Sequence, residues 1–461
     1  MTAAPSLEAS DDGGQWRPIA DVPISEVPST VTFPAVTASR FRVLLNPASG
    51  GSIRDNLFVG LAPGVDALSM MSAFGEGAGG SLASAMQGGD FLLAELALGS
   101  EPQVEQFELK AGYSVTGDYY ALRSSDTPRH QATQPGDVVN LSDRMTQDGK
   151  LDWTPPPGRW KVLRLGYSLT GKSNHPAPPE ATGLEVDKFD GDAVRRYMET
   201  YLDKYRDATG DDLMGESGLQ ALLTDSIEVG PANWTPAIVE QFRRLRGYDP
   251  VPWLPILTGA VIGSGAQSDA FLYDYRLSLG QLIASEHYGT IAEVAQEYGL
   301  TYYSEAVETI RTTLGDDMAM RSHADIPMAA MWTYGERGPT PGYILDIKGA
   351  ASVANVYGQN LVAAESLTSV LQPWNAAPAD LRPVIDLIFA YGVNRPVIHT
   401  SAHQPADDKF PGLALLIFGQ YFNRHETWAE MAKPWVDYMT RSSFLLQQGR
   451  GYADVAYIYG E

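Results

Sequence analysis

The feature that most constrains the fold of this chain is a series of four short, largely apolar runs that lead into acidic or histidine side chains. The runs occupy residues 219–224, 300–304, 360–364 and 396–400. Runs of this length suit strands that are buried on both faces. Helical patterns lie between them, and a recurrent strand–helix unit with polar side chains at the strand ends favours a (β/α) barrel. No Gly-x-Gly-x-x-Gly or Walker pattern follows any of the four runs, which disfavours a nucleotide-binding sheet.

The helical patterns support the same interpretation. They predict helices over residues 192–207, 235–246 and 268–298. Thr235 and Pro236 suit the start of a helix, because Thr caps free amides and Pro lacks an N–H that would be unpaired there. We therefore predict that residues 171–452, the α/β portion of the chain, form part of a (β/α)8 TIM-type barrel.

The first part of the chain has a different pattern. Strand signals separated by turn residues occur at residues 36–45, 107–110 and 160–167. This spacing predicts a β-sandwich-like domain over residues 1–170. The Gly/Ala-rich stretch 51–100 gives no assignable pattern. An apolar run near the end of the chain predicts the start of a following domain at residues 453–461.

Composition excludes several kinds of partner. The chain has 33 Lys and Arg against 56 Asp and Glu, a formal charge of −23, which repels nucleic-acid phosphates and anionic lipid. It has no cysteine, so disulfides and thiolate chemistry are excluded. No apolar run approaches the roughly 20 residues that span a bilayer. The first residues lack the basic and apolar regions of a signal peptide. We expect neither nucleic acid nor a membrane as a partner.

Four carboxylates at the predicted strand ends are candidates for catalysis: Asp225, Glu228, Glu305 and Glu365. Glycoside hydrolysis needs two carboxyl groups, one that protonates the leaving oxygen and one that activates water or attacks carbon. A helix-capping acid beside a solvated one would explain Asp225 and Glu228 equally well. Glu365 follows an apolar run directly, where reduced solvation raises a carboxyl pKa. It is therefore the strongest single candidate.

Histidines give a weaker signal. His399 and His403 flank a predicted strand end, and we interpret both as sugar contacts, whereas the role of His425 stays open. A lone histidine is also common as a satisfied core or capping residue. The spacing of His399 and His403 falls on a strand end without a Glu-x-x-His motif, which disfavours a transition-metal centre. The acidic surplus would suit calcium, although no EF-hand spacing marks a site.

Tryptophans downstream of the predicted strands could form a platform for sugar rings. They are Trp234, Trp332, Trp374 and Trp428. Core packing explains any one of them, while several in loops at one rim would form a platform.

A set of longer motifs, in a consistent order, resembles one known family, the α-L-rhamnosidases of glycoside hydrolase family 106. The matching stretches are residues 178–188, 224–230, 233–235, 246–249, 254–259, 325–328, 358–369, 392–395, 399–401 and 418–423. The resemblance implies an inverting, exo-acting enzyme that removes terminal rhamnose from plant glycosides or polysaccharides. It also implies a barrel interrupted by β-domains, calcium in the rhamnose site, and a periplasmic or extracellular location.

The resemblance assigns roles to particular residues. Glu228 corresponds to the general acid, with Asp225 beside it, and Glu365 corresponds to the general base. Expected substrate contacts are Glu305, His399, His403, Asn233, Trp234 and Trp332. The calcium ligands stay unknown at this stage. Two other hypotheses are a retaining barrel glycosidase and a non-catalytic sugar-binding or structural fragment.

The sequence departs from the family pattern in two places. It lacks the Trp-His-Trp-Met-Asn-Gly type stretch with which the barrel of other members begins, and it ends just after an apolar run. We therefore expect an internal piece of a longer enzyme. Ala330 also stands where many members carry a glutamate. Whatever that glutamate binds in those members cannot be bound by Ala330 here.

Overall fold

The structure is a computed structural model that describes most of the chain. The described residues are 3–23, 27–47, 95–114, 116, 118–124, 126–174, 177–306, 315–335, 337–370, 374–410, 412–415 and 418–457. Most of the Gly/Ala-rich stretch 51–100 and the last residues of the chain lie outside them. Residues 453–457 are described and have no regular secondary structure.

The N-terminal part contains a separate antiparallel sheet. Its strands are β1 (Ala3–Ser10), β2 (Arg17–Asp21) and β3 (Arg40–Pro47), in the order β2-β1-β3. β3 confirms the strand predicted near residues 36–45. β1 is the central strand and pairs with both neighbours. The coarse prediction of a β-structure ahead of the α/β portion therefore holds.

Two other strand predictions for this part are wrong. Phe107–Lys110 is a short helix, α1, because its polar side chains are buried against specific partners rather than exposed on one face of a strand. Glu108 accepts hydrogen bonds from Thr30, and Lys110 forms an ion pair with Asp269 at 2.7 Å. Residues 160–167 have no strand structure, although their apolar residues alternate.

Helices dominate the middle of the chain, and the longer ones confirm the predicted helices, except that the second begins at Ile238 with Ala237 at its N-cap rather than at Thr235. They are α2 (Gly191–Thr209), α3 (Ile238–Arg246), α4 (Gly265–Leu282) and α5 (Thr290–Glu297). A π-helical turn, Ile283–Gly289, joins α4 to α5, so the predicted helix 268–298 is continuous. Asp190 and Ser264 cap α2 and α4 by accepting hydrogen bonds from Ala193 and Gln267.

The α/β portion contains a parallel sheet of five strands. They are β4 (Ala221–Thr224), β5 (Thr301–Ser304), β6 (Ile326–Met331), β7 (Ala363–Ser366) and β8 (Arg395–Ile398). The order β4-β5-β6-β7-β8 follows the chain, and every neighbouring pair is parallel. Strands that are added in one direction curl into a barrel wall, so this sheet forms half a barrel.

Further helices follow the later strands of this sheet. They are α6 (Asp317–Arg321), α7 (Pro341–Tyr357), α8 (Pro378–Ala390) and α9 (Lys433–Leu446). One apolar cluster packs α2, α3, α4 and α5 against β4 and β5, and a second packs α7, α8 and α9 against β6 and β7. No helix among the described residues is long and apolar enough to cross a membrane.

Sequence reasoning missed β6, which is buried along its whole length. Its sequence, Ile-Pro-Met-Ala-Ala-Met, has one β-branched residue and a proline, which are weak strand signals. A buried ion pair holds it in place: Arg321 donates to the Met328 carbonyl and to Asp346, and Asp346 accepts from the Ala330 amide at 2.7 Å. Side chains outside the strand therefore fix its position.

Candidate active site

Three carboxylates from different strands converge at the carboxyl edge of the half-barrel. Asp225 directly follows β4, Glu305 directly follows β5, and Glu365 lies within β7. One oxygen of each group lies within 4.8 Å of an oxygen of the other two. The convergence follows from the topology, because the carboxyl ends of parallel strands meet at one rim. We refer to Asp225, Glu305 and Glu365 as the carboxylate cluster.

Glu305 is the buried member of the cluster, with only 2% of its surface exposed. Its Oε2 accepts a hydrogen bond of 2.8 Å from the Ser226 hydroxyl. Its Oε1 is buried and has no hydrogen-bond partner in the described part of the chain. Burial raises the pKa of Glu305 well above its usual value, and the charges of Asp225, Glu365 and Asp346 raise this pKa further. The group must therefore be neutralised by a proton or by a cation.

Backbone contacts fix the position of Glu305. Its amide donates to the Thr224 carbonyl at 3.1 Å, and its own carbonyl accepts from the Ser304 hydroxyl at 2.7 Å. The backbone at the ends of β4 and β5 thus fixes the position of Glu305.

The other two carboxylates are more accessible. Asp225 is exposed, and its Oδ1 accepts from the Ser226 amide at 2.6 Å. The Ser226 hydroxyl lies 3.1 Å from the same oxygen, so it lies between Asp225 and Glu305. Glu365 is half-buried and accepts a hydrogen bond from the hydroxyl of the buried Thr368. The exposure of Asp225 leaves its carboxylate open to a ligand from solvent.

The carboxylate cluster fits a calcium ion. Calcium takes oxygen ligands at about 2.3–2.6 Å, so two ligands of one ion are at most about 5 Å apart. The cluster oxygens, all within 4.8 Å of one another, meet this limit. The buried Glu305 Oε1 without a hydrogen-bond partner in the described structure is the kind of oxygen that a cation would satisfy.

Glu228 lies outside this cluster. It follows Asp225 by three residues in the loop between β4 and α3, and it is half-buried. Its place after β4 puts Glu228 on the same rim of the sheet as the cluster.

The predicted histidine contacts differ in their surroundings. His399 is half-buried, and its amide donates to the Ser366 carbonyl at 2.9 Å, which ties it to the end of β7. Burial lowers its pKa, and the charge of Asp225 opposes this shift, so the ring is near the cluster. Its Nδ1 is buried with no hydrogen-bond partner among the residues described. His403 is exposed, and its backbone pairs with Leu413.

The third histidine, His425, is half-buried, and its ring lies 4.4 Å from the ring of Phe410. This contact indicates packing. It does not assign the side chain to the carboxylate cluster.

Asn233 and Trp234 fix the loop that carries the acids. The Asn233 side chain donates to the Ala111 carbonyl at 3.0 Å, and its own carbonyl accepts from the Tyr275 hydroxyl. Trp234 stacks on Tyr167, with ring centres 6.1 Å apart. These contacts attach residues 225–237, which we call the acid loop, to α4 and to the segment after α1.

Trp332 directly follows β6, and its ring packs against Tyr343 and Phe418. It is half-buried, and its Nε1 is buried without a hydrogen-bond partner in the described ranges. Ala330, two residues earlier, pairs with Glu365 in the sheet register. A carboxylate at position 330 would therefore lie next to the carboxylate cluster.

Sequence reasoning missed the residues that support the cluster. Ser226 and Thr368 donate to cluster carboxylates, and the Arg321–Asp346 pair holds the neighbouring strand β6. Ser and Thr beside acids are too common to stand out in a sequence. Only the register of β4, β5 and β7 brings these hydroxyl groups and carboxylates together.

Comparison with known proteins decides the family. The family model described as alpha-L-rhamnosidase matches residues 15–461. The chain belongs to glycoside hydrolase family 106. The resemblance drawn from the sequence motifs is thereby confirmed.

Two known proteins are similar to this family 106 chain. A solved structure titled "Structure of Rhamnosidase from Novosphingobium sp. PP1Y" matches with a TM-score of 0.86 and 54% identity, over 100% of this chain and 40% of that chain. A protein of Formosa agariphila named "Putative beta-glucuronidase" is 38% identical over 334 residues, 72% of this chain and 28% of that protein. The chain thus spans less than half the length of either protein.

Proposed function

We propose that the protein is an α-L-rhamnosidase that removes terminal rhamnose with inversion of the anomeric centre. Family membership and the similarity to a structure titled as a rhamnosidase support this activity. The observation that carries the site assignment is the carboxylate cluster at the carboxyl edge of the half-barrel. A rim with several carboxyl groups can supply both proton transfers of glycoside hydrolysis.

The proposed mechanism gives the acids separate roles. Glu228 donates a proton to the glycosidic oxygen as the bond to the leaving group breaks, and Glu365 removes a proton from the attacking water. Thr368 orients Glu365 by donating to it. The place of Glu228 outside the cluster, in the loop after β4, supports its role as a proton donor separate from the base Glu365. His399, with a lowered pKa, is neutral and can accept or donate a hydrogen bond to a sugar hydroxyl.

Asp225, Glu305 and Glu365 are the residues that would hold calcium. A bound calcium ion would orient sugar hydroxyls and neutralise part of the cluster's negative charge. Its removal should lower activity, and its return should restore it. The unpartnered Oε1 of Glu305, among the residues described, supports this proposal.

The name of the Formosa relative suggests glucuronide as a second substrate. A glucuronide brings its own carboxylate, which the three carboxylates of the cluster would repel unless a cation compensates. Rhamnose is neutral and meets no such repulsion. Even with one calcium ion bound, three ionised carboxylates leave a charge of −1 at the cluster, so the charge of the site favours a neutral rhamnoside.

Finer features of fold and substrate are also part of the proposal. We expect the five parallel strands to belong to a (β/α)8 barrel and the sheet β1–β3 to belong to a β-sandwich. Five consecutive strands in one order support the barrel. We expect plant glycosides or polysaccharides as substrates and a periplasmic or extracellular location, as the family resemblance implies.

Hydrolysis of two chromogenic substrates by the purified protein tests the activity. We expect release of nitrophenol from 4-nitrophenyl α-L-rhamnoside and much slower release from 4-nitrophenyl β-D-glucuronide. Glu216→Gln provides a matched control for Glu228→Gln and Glu365→Gln, because Glu216 is an exposed glutamate in the short 3-10 turn Gly215–Ser217 before β4. Preferential cleavage of the glucuronide would contradict the substrate assignment. Loss of activity in Glu216→Gln would show that the acid variants do not report on the site.

A further inference from the structure

Three hydroxyl groups lie directly behind the carboxylate cluster, on the opposite face of the half-barrel sheet. They belong to Thr224, the last residue of β4, and to Tyr302 and Ser304 of β5. Side chains alternate between the two faces of a strand, so Tyr302 and Ser304 point away from the face that carries Glu305. We call Thr224, Tyr302 and Ser304 the hydroxyl network.

The apolar clusters separate the two faces of the sheet. Tyr302 packs into the cluster that contains helices α2 to α5, whereas Tyr303 packs with Ala363 in a separate cluster. Glu305 follows Tyr303 by two residues and therefore shares its face. Glu365 follows Ala363 in the same way, within β7. The hydroxyl network thus lies between the sheet and the helices, and the acids lie on the other side.

Hydrogen bonds join the three hydroxyls to one another. Thr224 Oγ1 donates to Ser304 Oγ at 3.1 Å, and Ser304 Oγ donates to the Glu305 carbonyl at 2.7 Å. Each hydroxyl has one hydrogen to donate, so the Tyr302 hydroxyl supplies the hydrogen of its 2.9 Å contact with Thr224. It also lies 3.1 Å from Ser304 Oγ. The network therefore runs in one direction, from Tyr302 to the backbone of Glu305.

The hydroxyl network connects the carboxyl ends of two strands. Thr224 and Ser304 are the last paired residues of β4 and β5, and Asp225 and Glu305 directly follow them. The Glu305 amide also donates to the Thr224 carbonyl at 3.1 Å. A side-chain hydrogen bond and a backbone hydrogen bond thus join the same two strand ends. Two of the three acids of the cluster begin at this doubly bonded step.

Packing alone does not require these hydroxyls. Tyr302 is 1% exposed and Ser304 is fully buried. A buried hydroxyl needs a hydrogen-bond partner, and replacing both partners of a pair by apolar groups of the same shape is often nearly neutral for stability. Valine at position 224 and phenylalanine at position 302 would fill the same space. The hydroxyls add direction, because a fully satisfied buried network specifies one relative position of the groups that it joins.

We propose that the hydroxyl network positions Asp225 and Glu305 at the separation that one calcium ion requires. The inference rests on the proposed function, because it takes the carboxylate cluster as the calcium site. The cluster oxygens lie within 4.8 Å of one another, and two ligands of one calcium ion are at most about 5 Å apart. A shift of roughly half an ångström between β4 and β5 therefore weakens the site. The three hydroxyl residues are positioning residues, which act through the backbone that carries the acids.

Calcium titration without a sugar substrate tests the proposal. Thr224→Val removes one hydroxyl and keeps the shape of the side chain, so the calcium affinity measured by isothermal titration calorimetry should fall about tenfold, at the lower end of the range for groups that support metal ligands. Tyr302→Phe removes only the first donor and should weaken calcium binding less. Thr224→Ser restores the hydroxyl and should bind calcium as the wild type does.

The calcium dependence of rhamnoside hydrolysis provides a second measurement. Thr224→Val should need about tenfold more calcium for half-maximal kcat/KM, and excess calcium should bring its kcat/KM to within about twofold of the wild-type value, because mass action compensates for a weaker site. A variant that is merely misfolded would not recover in this way. A loss of kcat/KM that saturating calcium does not restore would overturn the proposal.

Ser268→Ala is the matched control for the loss of a buried hydroxyl. Ser268 is fully buried in α4, and its hydroxyl accepts from the Ile262 amide at 2.9 Å and donates to the Ile262 carbonyl at 3.0 Å. Its removal should lower the melting temperature in chelator but leave the calcium affinity unchanged. An equal loss of calcium affinity in Ser268→Ala, or an unchanged affinity in Thr224→Val, would contradict the positioning role. Tyr302→Phe carries the same test if Thr224→Val does not fold.

Calcium binding separates this inference from the proposed activity. If calcium binding depends on the hydroxyl network but the wild type releases no rhamnose, the proposed activity fails and the positioning role stands. If rhamnosides are cleaved but the wild type binds no calcium, or Thr224→Val binds calcium as tightly as the wild type, the positioning role fails alone.

Discussion

Replacing Glu305 by glutamine should change protein stability in opposite directions with and without calcium. Without a cation, the cluster holds like charges together, with Glu305 buried among them. An ionised Glu305 would lie within 4.8 Å of another charge, a repulsion of about 3.5 kcal/mol at an effective dielectric of about 20. In chelator the folded protein therefore keeps Glu305 protonated, and the stability cost is that of holding a proton that the unfolded chain releases. Asp225 is exposed and Glu365 is half-buried, so solvent and salt reduce the repulsion, and relief of about 1–3 kcal/mol is expected.

The substitution keeps the shape of the side chain. The Ser226 hydroxyl can still donate to the glutamine carbonyl, and the new amide can donate to the neighbouring carboxylates. In chelator, Glu305→Gln should therefore melt at a higher temperature than the wild type. With calcium at about 100 times its dissociation constant, the wild type should gain about 2.7 kcal/mol, and the variant, without the buried ligand, should gain much less. The order of the two melting temperatures should reverse.

The same variant has a defined pH dependence in chelator. The pKa of Glu305 is raised in the folded protein, so above its ordinary value of 4.5 the folded state holds a proton that the unfolded state releases. The wild type therefore loses stability as the pH rises from that value, and the variant does not. The advantage of Glu305→Gln should be small near pH 4.5 and grow towards neutral pH.

Calorimetric melting of both proteins, in chelator and in calcium, measures these effects, with Glu216→Gln as the control for the chemical change. The control should follow the wild type in both conditions. If Glu305→Gln were less stable than the wild type in chelator at neutral pH, the carboxylates would not be in repulsive contact. If calcium raised both melting temperatures equally, Glu305 would not be a ligand.

Three further predictions concern other residues of the site. Glu228→Gln should retain much more activity on a nitrophenyl rhamnoside than on a rhamnosyl flavonoid, since a good leaving group needs less protonation. Glu365→Gln should lose about 10²–10⁴-fold in activity on both substrates. Measurement of kcat/KM on the two substrates checks this, and an equal leaving-group dependence of the two variants would refute the roles of acid and base. Ser226→Ala should weaken calcium binding by about 10–100-fold, because the Ser226 hydroxyl orients Glu305. Isothermal titration calorimetry measures the calcium affinity, and an unchanged affinity would exclude Ser226 from the calcium site. Arg321→Met should cost about 3–5 kcal/mol in denaturant unfolding, because it leaves Asp346 buried without its cation, and a loss below 1 kcal/mol would contradict the burial of the pair.

The sequence predicts the α/β portion better than the β portion for a physical reason. The helices α2, α3 and α5 show a clear apolar face, and β4, β5, β7 and β8 follow helices as short apolar runs, so local patterns agree with the tertiary structure there. In the segment 107–110, apolar and polar residues alternate over only four positions, too few to define a period. There Glu108 and Lys110 are buried by distant partners, Thr30 and Asp269, which no local pattern reveals.

The candidate site divides in the same way. The strand-end positions of Asp225 and Glu305 are readable from sequence, because each follows an apolar run, whereas Glu365 lies inside β7 rather than after the predicted run 360–364. Which of them come within 4.8 Å depends on the parallel register of the strands, and β6, which lies between β5 and β7, was missed. The supporting hydroxyls of Ser226 and Thr368 depend on the same register. The pairing of the strands, rather than the strands themselves, is what the sequence leaves undetermined.

NMR of the first product tests most directly whether the protein cleaves rhamnosides with inversion. Proton spectra recorded within the first turnovers on 4-nitrophenyl α-L-rhamnoside distinguish the two anomers of free rhamnose before they equilibrate. A proton donor outside the carboxylate cluster and a water activated by Glu365 predict β-L-rhamnose as the first product. Initial release of α-L-rhamnose, or no release of rhamnose at all, would contradict the account.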